Sequence, residues 1–314
     1  MPAPASSSVR SRLSRAADRI GTWGRPLTLA NILVQAAIIV TGGAVRLTGS
    51  GLGCSTWPQC EPGRFTPEFT PETSYHAFVE FGNRLITFVL LIVATLLAIA
   101  VWRTRRDLLW WGLAPLIGVV VQAVVGGITV LVDLHPAVVA PHLLLSTLLV
   151  WLAVQLALRY RDAPRRDGRC IRTPLRVLNV LTVAVVILGA LTTGAGPHSG
   201  DAEATERLAL DPAFIARIHA FSVWAFCAVL LLIIWRVRKD VSVGVAQGTA
   251  KDHVRPAWIV LAAVTLAQGA IGYVQYFTGL PILLVGIHLA GAATLVAAQS
   301  AAYYLLRRAK PAAA

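Results

Sequence analysis

The segment His76-Ala-Phe-Val-Glu80-Phe-Gly-Asn83-Arg84 begins an apolar run that continues to Trp102. A helix of that length spans a bilayer, because about 20 residues cross the hydrocarbon core. The four polar residues stand at i, i+4, i+7 and i+8, so a helix places them along one stripe. Ionisable side chains at membrane depth are costly and normally face a bundle interior or a cavity. The segment therefore predicts a membrane helix that carries a polar site.

The composition of the whole chain sets its class. The 314 residues are 56% hydrophobic and only 14% charged, which indicates a polytopic membrane protein in a lipid bilayer. The net charge of +13 lies in short loops between apolar runs, so it sets topology and does not predict a nucleic-acid partner. The only methionine is residue 1, and no Cys-x-x-Cys-His is present. These absences exclude c-type heme attachment and an axial methionine.

Eight apolar runs predict an all-α protein with eight transmembrane helices. Lys and Arg concentrate in alternate loops, so the positive-inside rule places both termini in the cytoplasm. The loops at 46–75 and 195–212 then lie outside the plasma membrane. The runs are approximately 27–45, 76–102, 108–132, 137–158, 175–194, 213–235, 257–277 and 282–306.

The eight runs form two copies of four. Gln122-Ala-Val-Val-Gly126 matches Gln268-Gly-Ala-Ile-Gly272 at an offset of 146, and the same offset superposes His142 on His288. A match between the second and sixth runs lays Asn83 over His219. Because each copy has an even number of spans, the two repeats run parallel. The predicted divisions are a basic arm 1–26, repeats 27–158 and 175–306, a linker 159–174 and a tail 307–314.

Four histidines lie in even-numbered runs, and three of them lie about two turns below the outer surface. Level histidines on facing helices are what a heme bound by two imidazoles requires. For His219 and His288 together we favour heme, whereas a lone membrane histidine often bonds only within a helix interface. Zinc fits less well, because no carboxylate or thiolate cluster joins these histidines at ligand spacing. The four are His76, His142, His219 and His288.

Several motifs in order resemble the heme A synthase family, membrane enzymes that convert heme O to heme A for cytochrome oxidase. The resemblance covers nearly all of the chain after residue 27, and the fold that it implies is eight helices in two repeats. The motifs are Thr41-Gly-Gly-Ala-Val-Arg-Leu-Thr-Gly-Ser-Gly-Leu-Gly-Cys54, Trp57-Pro58, Glu80-Phe-Gly-Asn-Arg84, Pro141-His142, Gly196-Pro-His-Ser-Gly-Asp201, Arg217-Ile-His219 and Gly286-Ile-His288.

The resemblance implies roles for individual residues. His219 and His288 become iron ligands of a cofactor heme b in the C-terminal half, and His142 becomes a heme ligand of the N-terminal half. Many members have a histidine three residues after the acidic residue that matches Glu80, where this chain has Asn83. The nearest substitute, His76, lies two turns outward, so the N-terminal heme is ligated from one side only or bound differently.

The implied reaction oxidises a porphyrin methyl of heme O to a formyl by two hydroxylations and loss of water. We expect a substrate site in the N-terminal half, with Glu80, His76 and Asn83 as candidate catalytic residues. Glu80 either accepts a proton during oxidation or only forms an ion pair with Arg84 that lets both enter the membrane. The implied partners are heme O synthase and cytochrome oxidase assembly factors.

The outer loops and surface supply further candidates. Arg46, Arg84 and Arg217 are candidates for the heme propionates, and interfacial snorkelling is the alternative for each. Cys54 and Cys60 lie in an external, oxidising loop, which predicts a disulfide. The alternative for the cysteines is a dithiol that passes electrons or reacts with substrate.

Two other functions compete with synthesis. A di-heme b-type electron carrier would use the same histidines, but carriers stack hemes at two depths, whereas these histidines lie towards one side. A transporter with Glu80 as its ion site would leave the paired histidines unexplained.

Overall fold

A computed structural model describes residues 6–68, 70, 73–163, 171–202, 204, 206–239 and 254–306. The described residues contain nine α-helices and one 3₁₀ turn, Arg106–Leu108, and no β-strand. The helices are α1 Ser6–Thr22, α2 Gly24–Leu47, α3 Tyr75–Thr104, α4 Leu109–Leu131, α5 Pro136–Tyr160, α6 Arg172–Ala195, α7 Pro212–Lys239, α8 Val254–Phe277 and α9 Ile282–Leu306.

Helices α2 to α9 are each long and apolar enough to cross a membrane, which confirms the predicted fold class of eight spans. The start of α3 is fixed by Ser74, whose hydroxyl accepts a hydrogen bond from the backbone N–H of His76. Large apolar side chains remain on the bundle surface, among them Phe221 and Leu283, which are more than two thirds exposed. Such a surface suits lipid and not water.

Residues 6–22 of the predicted basic arm are helical. Helix α1 packs against the end of α3, where Arg103 donates hydrogen bonds to Asp18 and Ser14. The arm therefore lies along the bundle, at what we call the α1 end. The opposite end, which carries residues 48–68 and 196–202, is the disulfide end. The predicted tail 307–314 and residues 164–170 of the predicted linker lie outside the described residues.

The contacts of the Gln motifs recur at the sequence offset of 146. Gln122 Nε2 donates to the backbone carbonyl of His142 at 3.1 Å, and Gln268 Nε2 donates to that of His288 at 2.8 Å. In both places a glutamine of one helix fixes the backbone of a histidine on the next. The repeat seen in the sequence therefore has a counterpart in three dimensions.

The two halves meet through α2, α5, α6 and α9. Towards the disulfide end this seam is apolar, with Ile39, Val150 and Val296 buried together. Nearer the α1 end it is polar. Gln155 Nε2 donates to the Ser300 carbonyl at 2.8 Å. The other buried amides of this polar seam are Asn31 and Gln35 of α2 and Gln299 of α9.

Candidate functional site

Three of the predicted heme ligands lie at one depth. His142 follows the start of α5 by six residues, His219 follows that of α7 by seven, and His288 follows that of α9 by six. All three helices start at the disulfide end. At 1.5 Å of rise per residue the rings lie roughly 10 Å below those starts. The equal depth that was read from the repeats is therefore present.

Each of these imidazoles packs on a glycine of the preceding helix. A Cβ built on the glycine would lie 3.2–3.4 Å from Cε1 of the ring, so any larger residue would crowd it. The pairs are Gly126 with His142, Gly189 with His219, and Gly272 with His288. The glycines let the rings lie flush against backbone, which limits their rotation. Sequence reasoning missed this support, although Gly126 and Gly272 were visible in the repeated motif.

The surroundings of the ring nitrogens are alike in the three histidines. Nδ1 of His142, His219 and His288 is buried without a partner of hydrogen-bonding geometry, although the Val185 backbone lies close to His219. The rings of His219 and His288 are near enough to interact electrostatically. Among the described residues no three His, Cys, Asp or Glu side chains form a metal-ion cluster. Paired imidazoles of this kind fit the axial positions of heme iron.

The N-terminal half differs at the position that faces His142 in the family pattern. Thr41 Oγ1 donates to Asn83 Oδ1 at 2.8 Å. The Asn83 side chain is only partly buried. His76 lies seven residues nearer the disulfide end, about 10 Å along α3, where Nδ1 is 2.8 Å from Ser50 Oγ. The structure therefore does not bring His76 to the depth of Asn83.

Glu80 and Arg84 form a buried ion pair that also holds a loop. Glu80 is 5% exposed, and its Oε1 accepts hydrogen bonds from Arg84 Nε at 3.1 Å and Nη2 at 2.5 Å. Its Oε2 accepts from the backbone N–H of Cys54 at 2.7 Å. Arg84 donates further to the carbonyls of Thr56 at 3.0 Å and Gln59 at 3.1 Å. Both side chains thus bind residues 54–60, which we call the disulfide loop.

The disulfide that was predicted in this loop is present. Cys54 and Cys60 are bonded to each other, and both are fully buried. Gly53, just before the bridge, lies against the backbone of His76, where a Cβ would come within 2.4 Å of the carbonyl oxygen. The bridge and these close contacts keep the loop on the start of α3, where Cys54 reaches Glu80.

The three arginine candidates have different surroundings. Arg46 Nη2 donates to the carbonyls of Thr193, at 2.8 Å, and His198, so it joins α2 to the other half. Arg84 donates its hydrogen bonds to Glu80 and to the disulfide loop. Arg217 is exposed on α7, two residues before His219, and its Nε donates to the Ala213 carbonyl.

Comparisons with known proteins agree with this architecture. Residues 25–300 match the family COX15-CtaA, described as cytochrome oxidase assembly protein. A heme A synthase of Symbiobacterium thermophilum is 30% identical over 82% of this chain and 88% of the relative. Heme A synthases of Bacillus pumilus and Lysinibacillus sphaericus are 29% and 28% identical, each over 49% of this chain. In those two matches the chain spans about half the length of the relative. The chain belongs to the COX15-CtaA family of cytochrome oxidase assembly proteins.

Proposed function

We propose that the protein is a membrane oxidoreductase that converts heme O to heme A. The observation that carries this proposal is the set of three level, glycine-backed imidazoles on α5, α7 and α9, in a chain whose relatives bear the name heme A synthase. A di-heme carrier is not favoured, because those relatives are named as synthases and the three imidazoles share one depth.

The two halves have different tasks in this proposal. His219 and His288 would hold a cofactor heme b in the half 175–306, and this heme would supply electron transfer. His142 holds heme O from one side in the half 27–158, so that substrate and product exchange. Heme supplies the redox chemistry when it is bound, and the protein supplies position, axial ligands and proton transfer.

Glu80 is the residue we assign to proton transfer. Its Oε2 is engaged only by the Cys54 N–H among the contacts described above, whereas Oε1 holds the Arg84 guanidinium twice. Oε2 is therefore the atom that accepts a proton as the methyl is oxidised. The disulfide loop covers this carboxylate and keeps it from bulk water. A general base of this kind contributes roughly 100-fold or more to a rate.

Arg217 is the residue we assign to a heme propionate. It is exposed near the disulfide end and two residues from His219, and a guanidinium binds a carboxylate bidentately. Arg46 and Arg84 donate to carbonyls of other segments, whereas the bond of Arg217 to Ala213 lies within its own helix, so we assign Arg46 and Arg84 to holding the two outer segments in place.

The orientation follows from charge and from the disulfide. We place both termini in the cytoplasm and the disulfide end outside the plasma membrane, where the compartment is oxidising. Heme O synthase and cytochrome oxidase assembly factors remain the proposed protein partners, since they would deliver the substrate and receive the product.

The function is tested by co-expressing the chain with a source of heme O and identifying extracted hemes by mass. We expect conversion of the methyl to a formyl, which exchanges two hydrogens for one oxygen. Cells with the heme O source alone are the control. Purified protein that contains heme but leaves heme O unchanged under aerobic turnover would support a carrier and contradict the synthase.

Replacing Asn83 with histidine will give the N-terminal heme a second axial ligand. Asn83 is only partly buried, and position 83 matches His219 of the other half. We expect the heme bound through His142 to change from a high-spin to a low-spin absorption and electron paramagnetic resonance spectrum. Asn83→Gln, which is polar but adds no imidazole, should leave it high-spin. An unchanged spectrum in Asn83→His would show that residue 83 does not face the iron.

A further inference from the structure

The disulfide loop is attached to two helices and not only to α3. Besides its bonds to Glu80 and Arg84, it lays the indole of Trp57 on the backbone of α4. A Cβ built on Gly127 would come within 2.4 Å of Trp57 Cδ2 and 2.6 Å of Cε2. Real Cβ atoms do not approach ring carbons this closely, so only glycine at position 127 permits this packing. The loop is therefore a strap from α3 to α4 across the outer end of the N-terminal half.

The indole packs on the residue next to the one that supports the imidazole of the substrate half. Gly127, which carries the indole, directly follows Gly126, which carries the ring of His142. Successive residues of a helix point about 100° apart, so the two rings occupy neighbouring faces of the same turn of α4. Trp57 is also 36% exposed, so part of the indole is not covered by protein. That part can contact a flat apolar ligand held by His142.

The other half fills the corresponding place in a different way. The offset of 146 that superposes Gly126 on Gly272 puts Tyr273 at the place of Gly127. Tyr273 is bonded through its hydroxyl to Trp224 Nε1 of α7 at 3.0 Å. In that half the position therefore holds a side chain of a membrane helix, and both residues of this bond are exposed. In the half assigned to the exchanging ligand it is a glycine that receives the indole of an external loop.

We propose that Trp57 is a substrate-positioning residue whose indole forms the outer wall of the heme O site beside His142. An indole offers a large, rigid apolar face, and a porphyrin macrocycle is flat and apolar away from its carboxylates. The strap that carries the indole also supplies the Cys54 N–H to Glu80. A substrate that packs on Trp57 is thereby aligned with the carboxylate assigned to proton transfer. This proposal rests on the proposed function for the identity of the ligand.

The test compares variants that remove the indole with one that displaces it. Trp57→Ala deletes the ring, whereas Gly127→Ala pushes the intact ring off α4. We expect each to raise the dissociation constant and KM for heme O about tenfold, the effect of losing a well-packed aromatic contact, with a smaller change in kcat. Trp57→Phe should recover part of the affinity. The double variant should be no worse than Trp57→Ala, because the clash needs the ring.

The measurements distinguish a loss of substrate positioning from general damage to the fold. Heme O binding is followed by absorbance titration, and the low-spin spectrum of the half containing His219 should stay unchanged. Gly269→Ala is the matched control, since its Cβ would meet nothing within 4 Å and the equivalent residue, Ala123, is already alanine. Unchanged heme O affinity in both Trp57→Ala and Gly127→Ala overturns the proposal. So does an equal loss of heme from both halves. If the variants bind heme O more weakly but the parent protein forms no heme A, the role of Trp57 stands and the proposed function is overturned.

Discussion

Replacing His288 with alanine will abolish the low-spin heme spectrum of the C-terminal half, and His219→Ala will do the same. A heme held by two imidazoles loses one of its two protein bonds to iron in either variant. The ring that packs on Gly272 or Gly189 also disappears, leaving an unfilled gap beside that glycine. We therefore expect complete loss of this heme and not a partial weakening.

The spectrum and the heme content of purified protein check this expectation. His198→Ala is the matched control, because His198 lies at the same end and its Nε2 is 3.1 Å from the Leu280 carbonyl. That variant should keep both hemes. If His219→Ala and His288→Ala purify with unchanged heme content, the two histidines only fill a helix interface.

Glu80→Gln is expected to lower heme A formation by roughly 100-fold while the protein keeps its fold and its bound heme. Glutamine is nearly isosteric, and an amide is cheaper to bury than a carboxylate. Its carbonyl oxygen still accepts from Arg84, whereas its NH₂ cannot accept the Cys54 N–H. The carboxylate's capacity to take a proton is lost altogether.

A purely structural ion pair gives the opposite pattern. The variant leaves Arg84 without a counter-charge in either case and can lower yield, but with a purely structural pair the activity per folded molecule is preserved. Yield, heme content and heme A formed from heme O distinguish the two in one preparation. Glu206→Gln is the control, because it makes the same substitution at an exposed carboxylate, which is paired with His135. Normal turnover in Glu80→Gln would remove the catalytic role.

The spans and the depth of the histidines were predictable because both follow from periodicity. The length of a run such as 76–102 by itself indicates a membrane span. The repeat offset aligns His142 with His288 without knowledge of any contact. Of the three glycines on which the histidines pack, Gly126 and Gly272 belong to the repeated motif, whereas Gly189 lies outside it. The helicity of residues 6–22 was missed because a basic, serine-containing segment gives no apolar run, and its order comes from docking on α3.

The roles of the arginines could not be read from the sequence. Arg46 and Arg84 donate to backbone carbonyls, which every residue has. No particular residue type at the partner position therefore indicates these contacts in the sequence. The packing site of Trp57 is equally difficult to predict from the sequence, because it depends on the absence of a side chain at Gly127. Contacts of this kind appear only when loops are placed in three dimensions.

The polar seam near the α1 end has a consequence for how the two repeats recognise each other. Lipid tails are as apolar as leucine, so apolar faces alone give helices little preference for one neighbour over another. The buried amide of Gln155 bonds Ser300 of the other repeat, which penalises any arrangement that leaves this amide facing lipid. A single repeat made by itself would expose such amides and would mispair or be degraded. The polar seam therefore favours one way of joining the two repeats over others.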